Sequence, residues 1–325
     1  MPTTDQVKAL LRCHLDGDED RFYAVAMQVA AQAARQGHAR VATELRRMVD
    51  AAQARAPAGA PAGPLSIAQP RGELVGLLAA SSPALRLSDM VLDAGVRARL
   101  RRVVAEQRQQ HKLRAHGLEP RRKLLLLGPP GTGKTMTASA LAGELHLPLL
   151  TTLLDGLITK FMGETAAKLR LVFDAMARTR GVFLFDEFDA IAGRRAAAND
   201  VGEVRRILNS FLQFVEQDGS ASLIVAATNH PDLLDPAVFR RFDDVIEYDL
   251  PSDDIIIDAM RSRLALLSTA GVDWTAAVEA ARGLSHSDVV SAATDAAKEA
   301  ILADRAAVDT EGLVRALGER RARRA

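Results

Sequence analysis

The octapeptide GPPGTGKT, residues 128 to 135, joins a strand-like apolar run, KLLLL, to a helical run, MTASALAGEL. Its glycines let the backbone curl so that amide hydrogens converge on an anion, and the helix that follows adds the positive end of its dipole. Lys134 supplies a charge for the outer oxygens of a polyphosphate, and Thr135 offers a hydroxyl to magnesium. Downstream, VFLFDEFD carries an apolar strand into Asp186 and Glu187. Asp186 is suited to hold magnesium through its water shell, and Glu187 to polarise an attacking water. Loop and acidic strand end together specify hydrolysis of a polyphosphate.

Other stretches carry chemistry less specifically. Asn229 closes the apolar run SLIVAATN, and on its residue type and the nearby proline it reads as a turn residue. FRRF, residues 239 to 242, sets Arg240 beside Arg241; taken alone, such a pair suits a helix C-terminus, where cations complement the dipole. TKFMGET places Phe161 and Met162 among polar neighbours, and apolar groups exposed in that way suggest contact with another chain. In GLSHSDV, Ser285 and Asp288 have the spacing of a capping box.

Five short apolar runs must position these groups: residues 123–128, 147–153, 182–186, 222–229 and 244–250, four of them separated by helical stretches. That alternation predicts an α/β domain, over 86–250, built on a parallel sheet covered on both faces. From 251 to 325 only helical signals remain, which predicts a smaller helical domain. Residues 1–53 show apolar spacing of helical period with breaks at 16–20 and 36–38, which predicts a small N-terminal helical domain. Between them, 54–85 is rich in Ala, Pro and Gly and reads as a tether.

The 42 basic and 41 acidic side chains leave a formal charge of +1, so no overall field favours nucleic acid or a membrane surface. Cys13 is the single cysteine, which excludes an internal disulfide and a cysteine-based zinc site. No apolar run approaches membrane-spanning length, and MPTTDQVKAL lacks a secretory pattern, so a soluble cytoplasmic protein is expected. The basic stretch from Arg97 to Lys123 is interrupted by acidic and apolar residues and reads as a solvated or subunit-facing surface.

GPPGTGKT, FLFDEFD, AATNHPDLLDPAVFRRFDD and GLSHSD stand in the order and context of the AAA ATPases, and the resemblance runs from about Ser88 to near the C-terminus. It is nearest the branch of katanin, spastin and the proteasomal and membrane-protease ATPases, in a bacterial-type single-ring form. The resemblance implies a P-loop NTPase with a five-stranded parallel sheet in the order 5-1-4-3-2, a C-terminal helical lid, and a homohexameric ring with ATP and magnesium at each subunit boundary. It implies that Pro129, Pro130, Gly131, Thr132, Gly133, Lys134, Thr135 and Met136 hold the nucleotide, with Thr135 and Asp186 on the metal. Glu187 and Asn229 would serve hydrolysis, and Arg240 and Arg241 would reach the next subunit's phosphate site as arginine fingers. Val91 and Leu92 align with the segment that wraps adenine, although the family's usual Ile-Gly is absent. His286 and Ser287 fall in the lid motif, with His286 where the family normally has glycine.

By the same resemblance Phe161 and Met162 form a first pore loop that grips polypeptide, and 193–206 a second, with Arg205 and Arg206 near the boundary. The expected function is an ATP-driven remodeller or unfoldase that threads polypeptide through the ring, with a separate protease or adaptor as further partner. No H-E-x-x-H is present, so the chain carries no zinc protease of that type. Two alternatives stay open: a nucleic-acid motor or loader, for which no helix-turn-helix or sustained basic face speaks, and a regulatory switch acting on one partner.

Overall fold

The computed structural model describes residues 43, 47, 70, 72–157, 162–187 and 201–323. The chain divides into two units, Met1–Ile67 and Ala68–Ala325. In the first unit only Thr43 and Arg47 are described, both helical and exposed, so the N-terminal helical domain expected over 1–53 lies outside the described residues. Phe161 and most of the second pore-loop segment do too.

The second unit is built on a sheet of strands β1 (Leu78–Ser81), β2 (Lys123–Leu127), β3 (Leu149–Thr152), β4 (Val182–Phe185), β5 (Leu223–Thr228) and β6 (Asp244–Glu247), in the order β1-β3-β4-β5-β2-β6. Strands β2 to β6 coincide with the apolar runs and are parallel, in the succession expected for them. The sheet is nevertheless six-stranded and mixed, which corrects the expectation of five parallel strands. The added β1 lies within the stretch read as a tether and pairs antiparallel with β3, from Leu78↔Thr152 to Ser81↔Leu149. Its sequence, LAAS, has little strand propensity. The unpaired edge of β3 recruits it, because an open strand edge leaves its backbone groups unsatisfied.

Strands β2, β4 and β5 are buried on both faces, as their continuous apolar sequences require. Side chains alternate across the sheet. On one face Leu124 and Leu126 meet helices α1 (Ala94–Arg108) and α3 (Lys134–Leu145) through Leu100, Val103 and Leu141. A short α2 (Gln110–Ala115) leads back from α1 toward β2. On the other face Leu125 and Leu127 join a cluster with Leu169 and Phe173 of α5 (Met162–Arg178) and Phe211 of α6 (Val201–Gln217). The brief α4 (Leu154–Leu157) precedes α5, and α7 (Pro236–Phe239) lies between β5 and β6. Phe185, fully buried, meets Phe211 edge-on at 4.8 Å between ring centroids, which anchors β4 just before Asp186.

Helices α8 (Asp253–Arg263), α9 (Trp274–Ala281), α10 (His286–Leu302) and α11 (Thr310–Ala322) form a helical lid with its own core, including Met260, Val289, Leu313 and Leu317. Ser285 and Asp288 close a capping box at the start of α10, so the capping interpretation of GLSHSD holds. No helix among the described residues is long and apolar enough to cross a membrane.

Residues 83–87 strap across the far end of α3. Arg86 donates to the Gly143 carbonyl at 2.5 Å, and a Cβ on Gly143 would come within 2.0 Å of the Leu85 carbonyl oxygen. Backbone lies on both sides of that contact, so neither can give way cheaply. Gly143→Ala should therefore destabilise the fold by about 1–3 kcal/mol. Urea unfolding checks this as a lower midpoint with an unchanged slope.

Candidate functional site

The loop after β2 emerges from the middle of the sheet, since β2 is paired with β5 on one edge and β6 on the other. Carboxyl ends of parallel strands at such a reversal of strand order are where ligands of open α/β sheets bind. Gly128 has φ 140, and any Cβ there would lie 2.0 Å from the Tyr248 carbonyl oxygen. Gly131, at φ 77, is pressed against the lid: a Cβ would lie 2.5 Å from Ser285 Oγ. The Ser287 N–H donates to the Gly131 carbonyl at 3.0 Å, so the first turn of α10 touches the loop directly.

Lys134 is buried, and its Nζ donates to the carbonyls of Gly128 and Pro129 at 2.7 and 2.8 Å. Thr132 Oγ1 also donates to the Pro129 carbonyl, at 2.8 Å. The lysine thus lies folded across its own loop, within reach of whatever the loop holds. Thr135 Oγ1 donates to Asp186 Oδ2 at 2.5 Å, while Asp186 Oδ1 accepts from the Glu187 N–H at 3.0 Å. Glu187 has φ 49, a left-handed conformation that costs a non-glycine residue about 1–3 kcal/mol. Its side chain is exposed. Asn229, half-buried, follows Thr228, which is in register with Leu127, so it stands just past the end of β5, the strand between β2 and β4.

Loop and lid enclose a cleft of about 550 Å³. Val91, Leu92, Ala259 and Val290 give it apolar wall suited to a flat base, and Gly131 to Met136 give it the amide-rich end. Of the residues expected to touch nucleotide, Val91, Leu92, Gly131, Thr132, Gly133, Lys134, Thr135, Met136, His286 and Ser287 line it. Pro129 braces the loop through its carbonyl, and Pro130 completes the turn; neither belongs to the lining. A hydroxyl and a carboxylate within hydrogen-bond distance fit magnesium, which takes few protein ligands and completes its shell with water and phosphate oxygens.

The description "ATPase family associated with various cellular activities (AAA)" matches residues 124–250. An uncharacterized AAA family ATPase, y4kL of Sinorhizobium fredii, is 33% identical over 325 residues, which is 100% of this chain and 97% of that relative. The chain belongs to the AAA ATPase family. A proteasome-activating nucleotidase of Methanococcus maripaludis is 36% identical over 198 residues, 58% of this chain and 48% of its own length. The 26S proteasome regulatory subunit 10B homolog A of Arabidopsis thaliana is 34% identical over 210 residues, 62% and 52% respectively. The chain therefore spans about half the length of these proteasomal relatives.

In this AAA ATPase the arginine pair is split by its surroundings. Arg240 ends the short helix α7, which Asp235 caps at the other end, so a helix terminus is indeed present. Arg241 turns back into its own chain, donating to Glu216 Oε2 at 3.3 Å and to the Ala237 carbonyl at 3.0 Å. Arg240 is exposed, and its guanidinium has no partner among the described residues. About half of the cations from Arg97 to Lys123 are paired in place: Arg99 with Asp244, Arg108 with Glu144, Arg114 with Glu119, Arg121 with Glu106 and Arg122 with Asp218. Two C-terminal arginines are occupied as well, Arg320 on Asp295 and Arg321 on the last carbonyls of α9, including Ala280 at 2.9 Å.

Sequence reasoning missed Ser262 and Arg263 of α8, which line the cleft, and Arg263 donates to Thr294 Oγ1 at 2.7 Å. No motif marks them; only the docking of the lid brings α8 over the loop. His286, the departure from the family's glycine, is half-buried, and both ring nitrogens are shielded from water without a hydrogen-bond partner among the described residues. Burial holds its pKa below the ordinary imidazole value, so the fold favours the neutral ring. That preference contributes fully above the unfolded pKa of about 6.5 and is lost as pH falls from there through the lower folded value. The melting temperature should accordingly fall more between pH 7 and 5 for the native chain than for His286→Gln. Parallel pH profiles would refute this.

Proposed function

We propose that this AAA ATPase hydrolyses Mg-ATP at the boundaries of a homohexameric ring in the cytoplasm and uses the cycle to pull polypeptide through the ring. One observation carries the trans site: Arg240 is an exposed guanidinium without a partner among the described residues, in a chain whose own phosphate loop already contains Lys134. A second cation is of most use to a neighbouring copy. Arg241, tied to Glu216 and Ala237, would hold the turn that presents Arg240.

In this reading the loop amides bind the phosphates, and Lys134 exchanges its carbonyl partners for the outer phosphate oxygens. Glu187 draws a proton from the attacking water, and Asn229 orients that water against the outer phosphate. Magnesium, held through Thr135 and Asp186, would supply charge neutralisation of the phosphates. Arg240 of the adjacent copy would meet charge that develops as the bond breaks, so hydrolysis would depend on assembly.

The names of the proteasome-activating relatives support a polypeptide as substrate and a separate protease or adaptor as partner. Phe161 and Met162, the latter opening α5, would form the gripping loop, and residues 1–53 would recruit targets through the tether. The near balance of 42 basic and 41 acidic side chains gives no overall field in favour of the nucleic-acid alternative.

Mixing supplies the test. Subunits carrying Arg240→Ala should lose hydrolysis by roughly 10³-fold, the scale of arginine fingers in related chemistry. Mixed with Lys134→Ala subunits they should regain part of it, because some boundaries then combine an intact loop with an intact finger. No recovery would place Arg240 in its own subunit's site. A Glu187→Gln chain should hold ATP without turning it over and retain its polypeptide target; retention of DNA instead would overturn the threading proposal.

A further inference from the structure

Tyr248 follows β6 and is buried, at 3% exposure. Its N–H donates to the Leu127 carbonyl at 2.7 Å, and its own carbonyl oxygen occupies the space that a Cβ on Gly128 would need. The phosphate loop therefore begins on the backbone of Tyr248. The side chain reaches the other end of the same loop: its hydroxyl lies 2.6 Å from Thr137 Oγ1, in the first turn of α3. Thr137 Oγ1 in turn lies 3.0 Å from the Gly133 carbonyl.

Proton counting orients this chain. The Gly133 carbonyl can only accept, so the single hydroxyl proton of Thr137 goes there, and the proton between the two hydroxyls belongs to Tyr248. The relay runs from the Tyr248 O–H to Thr137 Oγ1, and from the Thr137 O–H to the Gly133 carbonyl. Thr137 is fully buried, so water does not compete. Burial pushes the Tyr248 hydroxyl up to about 12, which keeps the donor protonated across any working pH.

Gly133 has φ 102 and stands at the N-cap of α3, directly before Lys134. A glycine has no side chain with which to fix its own peptide, and the Gly133 carbonyl accepts both the Thr137 N–H, at 2.9 Å, and the Thr137 hydroxyl. We propose that Tyr248 is a positioning residue for nucleotide binding, holding the Gly128 end of the phosphate loop through its backbone and the Gly133 end through the relay to Thr137. The loop's amides are thereby preset for phosphate, and the cost of ordering them is met on folding instead of on binding. The proposal rests on the reading of this loop as the nucleotide site.

Because the relay shapes the free site, its loss weakens ADP and ATP alike and leaves the turnover of bound ATP nearly unchanged. Tyr248→Phe keeps the ring and deletes the donor; it should weaken ADP binding, measured calorimetrically on the full chain, by about five- to tenfold, one buried hydrogen bond. Thr137→Val should match it, Thr137→Ser should retain most of the affinity, and the Tyr248→Phe, Thr137→Val double variant should be little weaker than either single one. The KM for ATP should rise by the same factor at constant kcat. If Tyr248→Phe lowers the melting temperature but binds ADP like the native chain, or if Thr137→Ser fares no better than Thr137→Val, the relay has no positioning role. Absence of ADP binding by the native chain, matched by Lys134→Ala, would instead remove the nucleotide reading and the relay with it.

Discussion

Strand β2 is hydrogen-bonded along both edges and buried on both faces, and the loop at the centre of the candidate site takes its position from it. A strand so enclosed has no freedom of register. Shifting it by one residue would turn Leu124 and Leu126 into the cluster that Leu125 and Leu127 fill, and break two ladders at once. The loop that leaves β2 is accordingly fixed where it starts. Its neighbours deliver their own ends at the same level: β5 brings Asn229 beside it, β4 brings Asp186 beyond that, and β6 brings Tyr248 to the other side.

Small residues let other parts approach this loop. Gly128 admits the backbone of the last strand, and Gly131 admits the first turn of the lid helix α10. Loop and lid are thus in contact through the Ser287 to Gly131 hydrogen bond. Any change of loop shape on filling the cleft bears directly on the seating of the lid, and the imidazole of His286 is enclosed at that seam.

Charge is distributed with a similar economy of position. Arg99, Arg122 and Arg320 find carboxylates within their own chain. Half-buried pairs of this kind orient elements more than they stabilise them, since desolvation offsets much of the attraction. Against that background the open guanidinium of Arg240 stands apart from the tethered one of Arg241, although the two are adjacent in sequence.

Much of the candidate site was legible in the sequence because its signals are local: a loop flanked by a strand and a helix, and an acid at the end of an apolar run, need only their immediate neighbours to be recognised. The parallel strands were legible for a similar reason, since burial on both faces writes itself as unbroken Leu, Val, Ile and Phe. LAAS carries no such mark, and β1 exists because β3 had an edge to cover. Tyr248 reads in DVIEYDL as one more apolar strand residue, and Arg263 as one more helix charge; only packing puts a hydroxyl against Thr137 and a guanidinium beside the cleft. Short-range patterns of apolarity, glycine and charge determined which residues could do chemistry and which elements carry them. Which groups meet, which arginine is already paired and which nitrogens lose their water depended on long-range packing, because those contacts join residues far apart in the chain whose types say nothing of each other.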